Sequence, residues 1–258
     1  MISYPLRISL AGAPCSEESG GSQTPAGLAP HQEVNVADIA LIGMRVRLEP
    51  LHPDHTSGLM SAAADGPFEF SRVPGSLAES FHYIKQARSL RKAGGSLAYA
   101  VVKNQDGEVI GSIRFTRMMK WEGTPSESSV EPDAVEIGES WLANTYRRPE
   151  YDIEVHFLML RHAFEAWGVR RANFQIDTLN QQELETAESM GAVCDGVLRA
   201  HSRRLDGTVR SVASYSLLDV EWENARSGIL RHLRELDQRV TAPSRESVLP
   251  LTGWTHQG

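Results

Sequence analysis

The order of apolar and polar residues divides the chain into short alternating runs and longer helical stripes. Arg45-Val46-Arg47-Leu48-Glu49 alternates with period two and predicts a strand; Pro50, Pro53 and Asp54-His55-Thr56 then lead into a helix through Ala64. A second helix is predicted from about Ser76 to Ala93, stopped by Gly94-Gly95. Leu97 to Val102 and Val109 to Phe115 flank Asn104-Gln105-Asp106-Gly107, a hairpin with its Asp-Gly pair at the turn. A loop, Trp121 to Asp133, precedes a strand from Val135 to Ala143. The most regular stripe follows: Ile153, Phe157, Leu160, Phe164 and Trp167 put one apolar face on a helix that ends at Gly168. Ala172, Phe174 and Ile176 then alternate with polar neighbours as a strand, and a short helix runs from about Gln182 to Met190. Two strands, Val193 to Arg203 and Val209 to Leu218, meet at Leu205-Asp206-Gly207-Thr208, and a charged helix from about Glu221 to Gln238 closes the domain. The order β-α-α-β-β-β-α-β-α-β-β-α predicts an α/β (α+β) mixed sheet, antiparallel at first, with one parallel crossover in its middle.

The two ends differ from this middle. Residues 1–40 hold five Ser, four Gly and four Pro, a composition that offers little apolar surface against its ordering entropy and predicts a flexible leader. The division is a 1–40 leader, a 41–238 domain and a 239–258 tail. Across all 258 residues the formal charge is −7, and 41% of positions are hydrophobic, as in ordinary globular proteins. This charge disfavours a dedicated nucleic-acid binder. Cys15 and Cys194 are too few and too separated for a disulfide framework, which suits a cytoplasmic protein, and Cys194 reads as a small core residue. No run approaches a membrane span, so no membrane partner is expected. His52 and His55 lack a second ligand pair, so no metal is predicted.

Several separated motifs carry a resemblance. Gly43 to Leu51 (GMRVRLEPL), His55, Gly111-Ser112-Ile113-Arg114-Phe115, Glu136-Ile137-Gly138, Trp141-Leu142-Ala143, His162-Ala163-Phe164-Glu165, Asn180, Gly191-Ala192 and Tyr215-Ser216 resemble the GNAT acyltransferases, nearest to the branch that acetylates ribosomal-protein N-termini. The resemblance implies a sheet in which Val135 to Ala143 splays from its parallel neighbour and opens a slot for the donor's pantetheine arm. It implies donor contacts from Trp141, Leu142, Arg147, Arg148 and Asn180, with the donor pyrophosphate at the start of the next helix. The cosubstrate is then acyl-CoA, or an acyl thioester on phosphopantetheine, and the acceptor is a small-molecule or peptide amine.

The residues also depart from that pattern. At the pyrophosphate turn the chain reads Arg147-Arg148-Pro149-Glu150-Tyr151-Asp152: Pro149 has no N–H to donate, and Glu150 and Asp152 would repel a pyrophosphate. Where the branch carries Ser after the Asn, this chain has Glu183. The departures motivate an acyl carrier protein as donor partner in specialised (natural product) metabolite biosynthesis, with aminoacyl-tRNA disfavoured by the charge, and a non-catalytic GNAT-fold binding module as the rival reading. A homodimer is left open.

For chemistry, Glu136 is the candidate general base and Tyr215 the candidate acid for the leaving thiolate, against the alternatives of an Arg114-paired carboxylate and a buried structural tyrosine. Strand alternation sends Glu136 and Glu139 to opposite faces. From Trp121 to Tyr146 there are six acidic residues and no Lys or Arg, a field that would gather a cationic amine. Arg147-Arg148, Arg170-Arg171, Arg199, Arg203-Arg204 and Arg210 form the basic clusters, read together as docking a phosphate-bearing donor.

Overall fold

The computed structural model describes residues 38–121 and 131–241; most of the predicted leader and nearly all of the predicted tail lie outside the described residues. Eight strands form one sheet, β1 (Leu41–Ile42), β2 (Val46–Pro50), β3 (Leu97–Lys103), β4 (Val109–Met119), β5 (Ala134–Leu142), β6 (Arg171–Asp177), β7 (Val193–Arg203) and β8 (Val209–Leu218), in the order β1-β2-β3-β4-β5-β6-β8-β7. Every pair is antiparallel except β5 with β6. Five α-helices flank it: α1 (Thr56–Ala64), α2 (Leu77–Lys92), α3 (Pro149–Arg161), α4 (Gln181–Ser189) and α5 (Asp219–Thr241).

Period-two patterning explains how the sheet is covered. On β3, Leu97, Tyr99 and Val101 join the core that includes α3 and α5, while Ala98, Ala100 and Val102 face the second core with Leu59, Ala62, Ile84 and Ala87 of α1 and α2. Small side chains on that second face let the helices approach the sheet closely. The predicted apolar stripe of α3 is buried at Ile153, Phe157, Leu160 and Phe164, and the helix ends through a π-helical turn, His162–Ala166, before Gly168 at φ 66°. Both predicted hairpin glycines, Gly107 and Gly207, take positive φ.

One buried carboxylate ties three elements together. Glu154 on α3 is 3% exposed, accepts the backbone N–H of Arg45 at 2.8 Å, and pairs with the Arg45 guanidinium, which also reaches Asp237 on α5. A Cβ on Gly43 would lie 2.3 Å from this carboxylate, so the turn before β2 requires glycine.

The sheet opens at its parallel pair. β5 pairs with β6 only from Ala134 to Ile137, after which β5 stays with β4 and β6 continues beside β8 to Asp177. The backbone from Gly138 onward therefore has no ladder partner on the β6 side. On the β4 side, two residues of β5 between Gly138 and Trp141, Glu139 and Ser140, stand against one residue of β4, Ile113, an irregularity with Glu139 at φ 46°.

Candidate active site

Two adjoining cavities occupy this opening. The larger, about 510 Å³, is a cleft whose lining includes Arg114, Thr116, Glu136, Glu139 and Arg210; the smaller, about 40 Å³, is a slot whose lining includes Trp141, Leu142, Arg147, His156 and Asn180. Ser71, Ser140, Trp141 and Glu183 line both, so these residues mark the junction.

Glu136 stands where β5 parts from β6, half-buried, opposite Asn173. Its carboxylate accepts the Thr116 hydroxyl at 2.7 Å and the Asn173 amide at 3.4 Å, and no cation among the described residues lies within ion-pair distance of it. Arg114, offered above as its partner, instead pairs with Glu139 at 3.2 Å and lies over the Tyr83 ring at 5.0 Å. Glu136 and Glu139 do not face opposite sides: both line the cleft, because the irregularity at Glu139 inserts a residue and resets the alternation. That backbone conformation is unusual for a non-glycine residue, so sequence alternation alone could not find it.

The slot brings together Trp141, Leu142, Arg147 and Asn180. Arg147 donates to the Pro67 carbonyl at 3.0 Å and lies over the Phe68 ring. Arg148 is exposed, bonds the Thr145 carbonyl, and lines neither cavity. Tyr215 is not brought to either cavity: β8 turns its hydroxyl to Glu188, to which it donates at 2.7 Å, and that hydrogen bond pushes its pKa up to about 12. It fixes α4 to the sheet. Cys194, expected in the core, is exposed on the edge strand β7.

The start of α3 resolves the two unexpected acids differently. Pro149 is its first residue, and the N–H groups of Tyr151 and Asp152 turn back to the Arg148 carbonyl, leaving the Glu150 N–H as the free donor of the first turn. Glu150 is buried, 3.8 Å from Arg148. Asp152 points inward, accepting the Thr186 hydroxyl at 3.0 Å and facing His156 Nδ1 at 3.5 Å. Burial opposes charge on both, but their mutual attraction outweighs it, lowering the Asp152 pKa and raising that of His156. The pair neutralises the charge that Asp152 alone would have set against an anionic donor.

Glu183 is the group that sequence reasoning undervalued. It sits in the first turn of α4 beneath its N-cap Asn180, whose amide donates to the Glu183 carboxylate at 2.7 Å. Burial pushes this carboxyl up to about 7; His156, Arg210 and Asn180 oppose the rise, and Asp152 adds to it. The Asn-x-x-Glu spacing of a helix start was the available sign of a positioned carboxyl.

The cleft is not uniformly acidic. Glu122 and Glu127 of the acidic stretch lie outside the described residues, and Asp133 faces Lys120. Arg203, Arg204 and Arg210, assigned above to the donor, line the larger cleft, whereas Arg170 and Arg171 pair with Asp219 and Asp195 away from it. Among the described residues no group of His, Cys, Asp and Glu could hold a metal ion, and no helix is long and apolar enough to cross a membrane.

A mixed sheet parted at one parallel strand pair, with a slot on one side of the junction and a carboxylate-bearing cleft on the other, defines a two-substrate transferase. Residues 45–193 match the model of the acetyltransferase (GNAT) domain, more than half of the chain, and the protein belongs to that family of acyltransferases. Among solved structures it is similar to a GCN5-related N-acetyltransferase from Brucella melitensis, at 25% identity and a TM-score of 0.64, over 80% of this chain and 90% of that one. It also shares its fold with RimJ from Mycobacterium smegmatis in complex with CoA-disulfide, at 14% identity and TM-score 0.61, over 72% and 88% of the two chains. RimL, a ribosomal L7/L12 α-N-protein acetyltransferase in complex with coenzyme A, superposes at TM-score 0.58 with 15% identity, over 70% of this chain and 99% of that one. No curated protein sequence matches the chain.

Proposed function

We propose that the protein transfers an acyl group from acyl-CoA to an amine by direct attack, with the pantetheine arm in the slot and the amine in the cleft. The observation that carries this reading is Glu136, a carboxylate without a cation partner that lines the larger cleft where β5 parts from β6. The unpaired backbone of β5 from Gly138 suits the amide groups of a pantetheine arm. An ammonium acceptor first loses one proton to solvent; the neutral amine attacks the thioester carbonyl while Glu136, directly or through one water, takes the second proton from nitrogen, so that the N–C bond forms, the C–S bond breaks and the thiolate departs. Glu183 lines both cavities, and its half-buried carboxyl can return a proton to the departing thiolate, the role first considered for Tyr215.

Thiol release from acetyl-CoA with an amine panel tests the reading. Glu136→Gln is expected to lower kcat by about 10²–10⁴, the usual worth of a general base, while coenzyme A binding by calorimetry stays within twofold. Undiminished turnover in Glu136→Gln overturns the assignment of the base.

A second donor is favoured by one observation: Pro149 and the inward-turned N–H groups leave α3 a single free first-turn donor for a pyrophosphate. A thioester on a carrier protein's phosphopantetheine needs no such cradle. Calorimetry with coenzyme A and with free phosphopantetheine separates the two. More than tenfold tighter binding of coenzyme A supports acyl-CoA; equal binding supports the carrier-borne donor.

A further inference from the structure

The charges of the cleft describe its acceptor. Among its described lining residues, arginines and acidic side chains are equal in number, five of each, but they are not all paired with one another. Arg204 is spent on Asp177, in two bonds of 2.7 and 2.9 Å, and Arg114 pairs with Glu139 through Nη1 while its Nε, like that of Arg210, is buried without a hydrogen-bond partner. Arg72, Arg203 and Arg210 have no carboxylate within ion-pair distance, and neither Glu69 nor Glu136 has a cation within it. Arg210 is the most telling of these. It is half-buried on β8 near Asp177 and Glu183, and its Nε is shut off from solvent with no hydrogen-bond partner, an arrangement costly unless a ligand supplies an acceptor.

Topology separates the unpaired arginines from the unpaired base. Glu136 lies deep, at the parting of β5 and β6. Arg203 and Arg210 lie on the β7–β8 hairpin, one residue apart in register, since Ser202 pairs with Arg210 and Arg203 with Val209. Arg72 comes from the loop between α1 and α2, which is fastened to β5 by the Ser71 hydroxyl on the Ser140 carbonyl at 3.0 Å. Glu69 of that loop is close enough to Arg204 to be felt electrostatically, so loop and hairpin oppose each other over the cleft.

Resting on the reading of the cleft as the amine site, we infer that the acceptor is a zwitterion: an amine held at Glu136 whose other end is a carboxylate, bound by Arg210 with Arg72 and Arg203. Arginine's planar fork suits a carboxylate in two parallel bonds. Unpaired carboxylates at Glu136 and Glu69 and unpaired arginines at Arg72, Arg203 and Arg210 offer the cleft's ligand a partner for each sign of charge, which suits a zwitterion better than a polyamine.

The test uses the full chain and a series of amino acids from glycine to 6-aminohexanoate, each beside its carboxamide, with O-phosphoethanolamine as the phosphate counterpart. Binding is measured by calorimetry and turnover by thiol release from acetyl-CoA. For at least one chain length the acid is expected to bind at least tenfold tighter than its amide. That ratio should fall towards one in Arg210→Gln and fall in Arg72→Gln, a change on an exposed loop residue that leaves the sheet intact. Amides that bind as well as acids at every length, a preference that survives both substitutions, or O-phosphoethanolamine outranking every carboxylate overturns the proposal. Loss of thiol release with every amine tested, while the binding preference persists, counts against the acyl-transfer reading and not against the carboxylate site.

Discussion

At the scale of single residues, Glu183 makes the sharpest physical statement. A carboxyl whose pKa is about 7 when folded, against 4.5 for the free group, binds its proton more tightly in the folded chain. Its contribution to stability is therefore complete below about pH 4.5 and is lost as pH rises through about 7. Glu183→Gln keeps the shape, keeps a partner for Asn180 and removes the titration. Measured by urea unfolding, the variant should gain on the wild type between pH 5 and pH 8, by up to about 3 kcal/mol, since each pKa unit is worth 1.36 kcal/mol. A constant difference across that range would show that the carboxyl is not held protonated. The groups facing it, Asp152, His156 and Arg210, stay in place in both proteins, and because His156 is coupled to Glu183 the difference reports the Glu183–His156 pair. In activity the same variant retains an N–H donor but no transferable proton, so the acid role predicts a loss of kcat with an unchanged KM for the donor.

The parted strands belong to the scale of elements, and two glycines show how closely β4 and β5 are fitted there. A Cβ on Gly111 of β4 would stand 2.1 Å from the Trp141 carbonyl and 2.9 Å from the Leu142 side chain, so the clash is with backbone that cannot yield without opening the ladder. On Gly138 of β5 it would meet only the Thr116 methyl, at 3.5 Å, an ordinary contact. Gly111→Ala should therefore cost about 2–4 kcal/mol in chemical denaturation and Gly138→Ala less than about 1 kcal/mol. Equal costs would mean that β5 is free to slide on β4, and the fixed junction of the two cavities would be lost as an argument. Elements of this kind were legible in the chain wherever local chemistry decides them. The apolar stripe of α3 and the Asp-Gly turns follow from residue type and spacing. Glu139 was not legible, because its positive φ answers to the mismatch between β4 and β5, two strands brought into register only by the fold. Tyr215 takes the structural alternative weighed beside the acid role, and its partner was not legible: alternation predicts that a side chain points into one face, not that Glu188 on α4 waits there to bind it. The arginines of the β7–β8 hairpin were legible as a cluster, but their cavity was set by the insertion of β8 between β6 and β7.

Across the whole molecule, enclosure is graded from the centre of the sheet to its β7 edge. β3 and β4 are buried on both faces, between α1 and α2 on one side and α3 on the other, and Tyr99, Ala100, Val101, Ile113 and Phe115 are fully enclosed. β7 is an edge strand whose residues are almost all exposed, and its pairing with β8 shifts twice, near Gly196 and Ala200, both at positive φ. Such interruptions discourage edge-to-edge pairing and lower the local cost of opening. Glu136, the proposed base, thus stands next to the enclosed part of the sheet, whereas Arg203 and Arg210 stand on the exposed hairpin, where the proposed acceptor site has room to adjust to ligands of different length. Native-state hydrogen exchange should show this order: amides of Tyr99–Val101, Ile113 and Phe115 exchange at the rate of global unfolding, and those of the β7–β8 hairpin at least about 100-fold faster. Adding a saturating amino acid that satisfies the arginines should slow the hairpin amides while leaving the β3 and β4 amides unchanged. A hairpin already as protected as β4, or one indifferent to the carboxylate, would remove compliance as the reason for putting the anion-binding arginines at the edge.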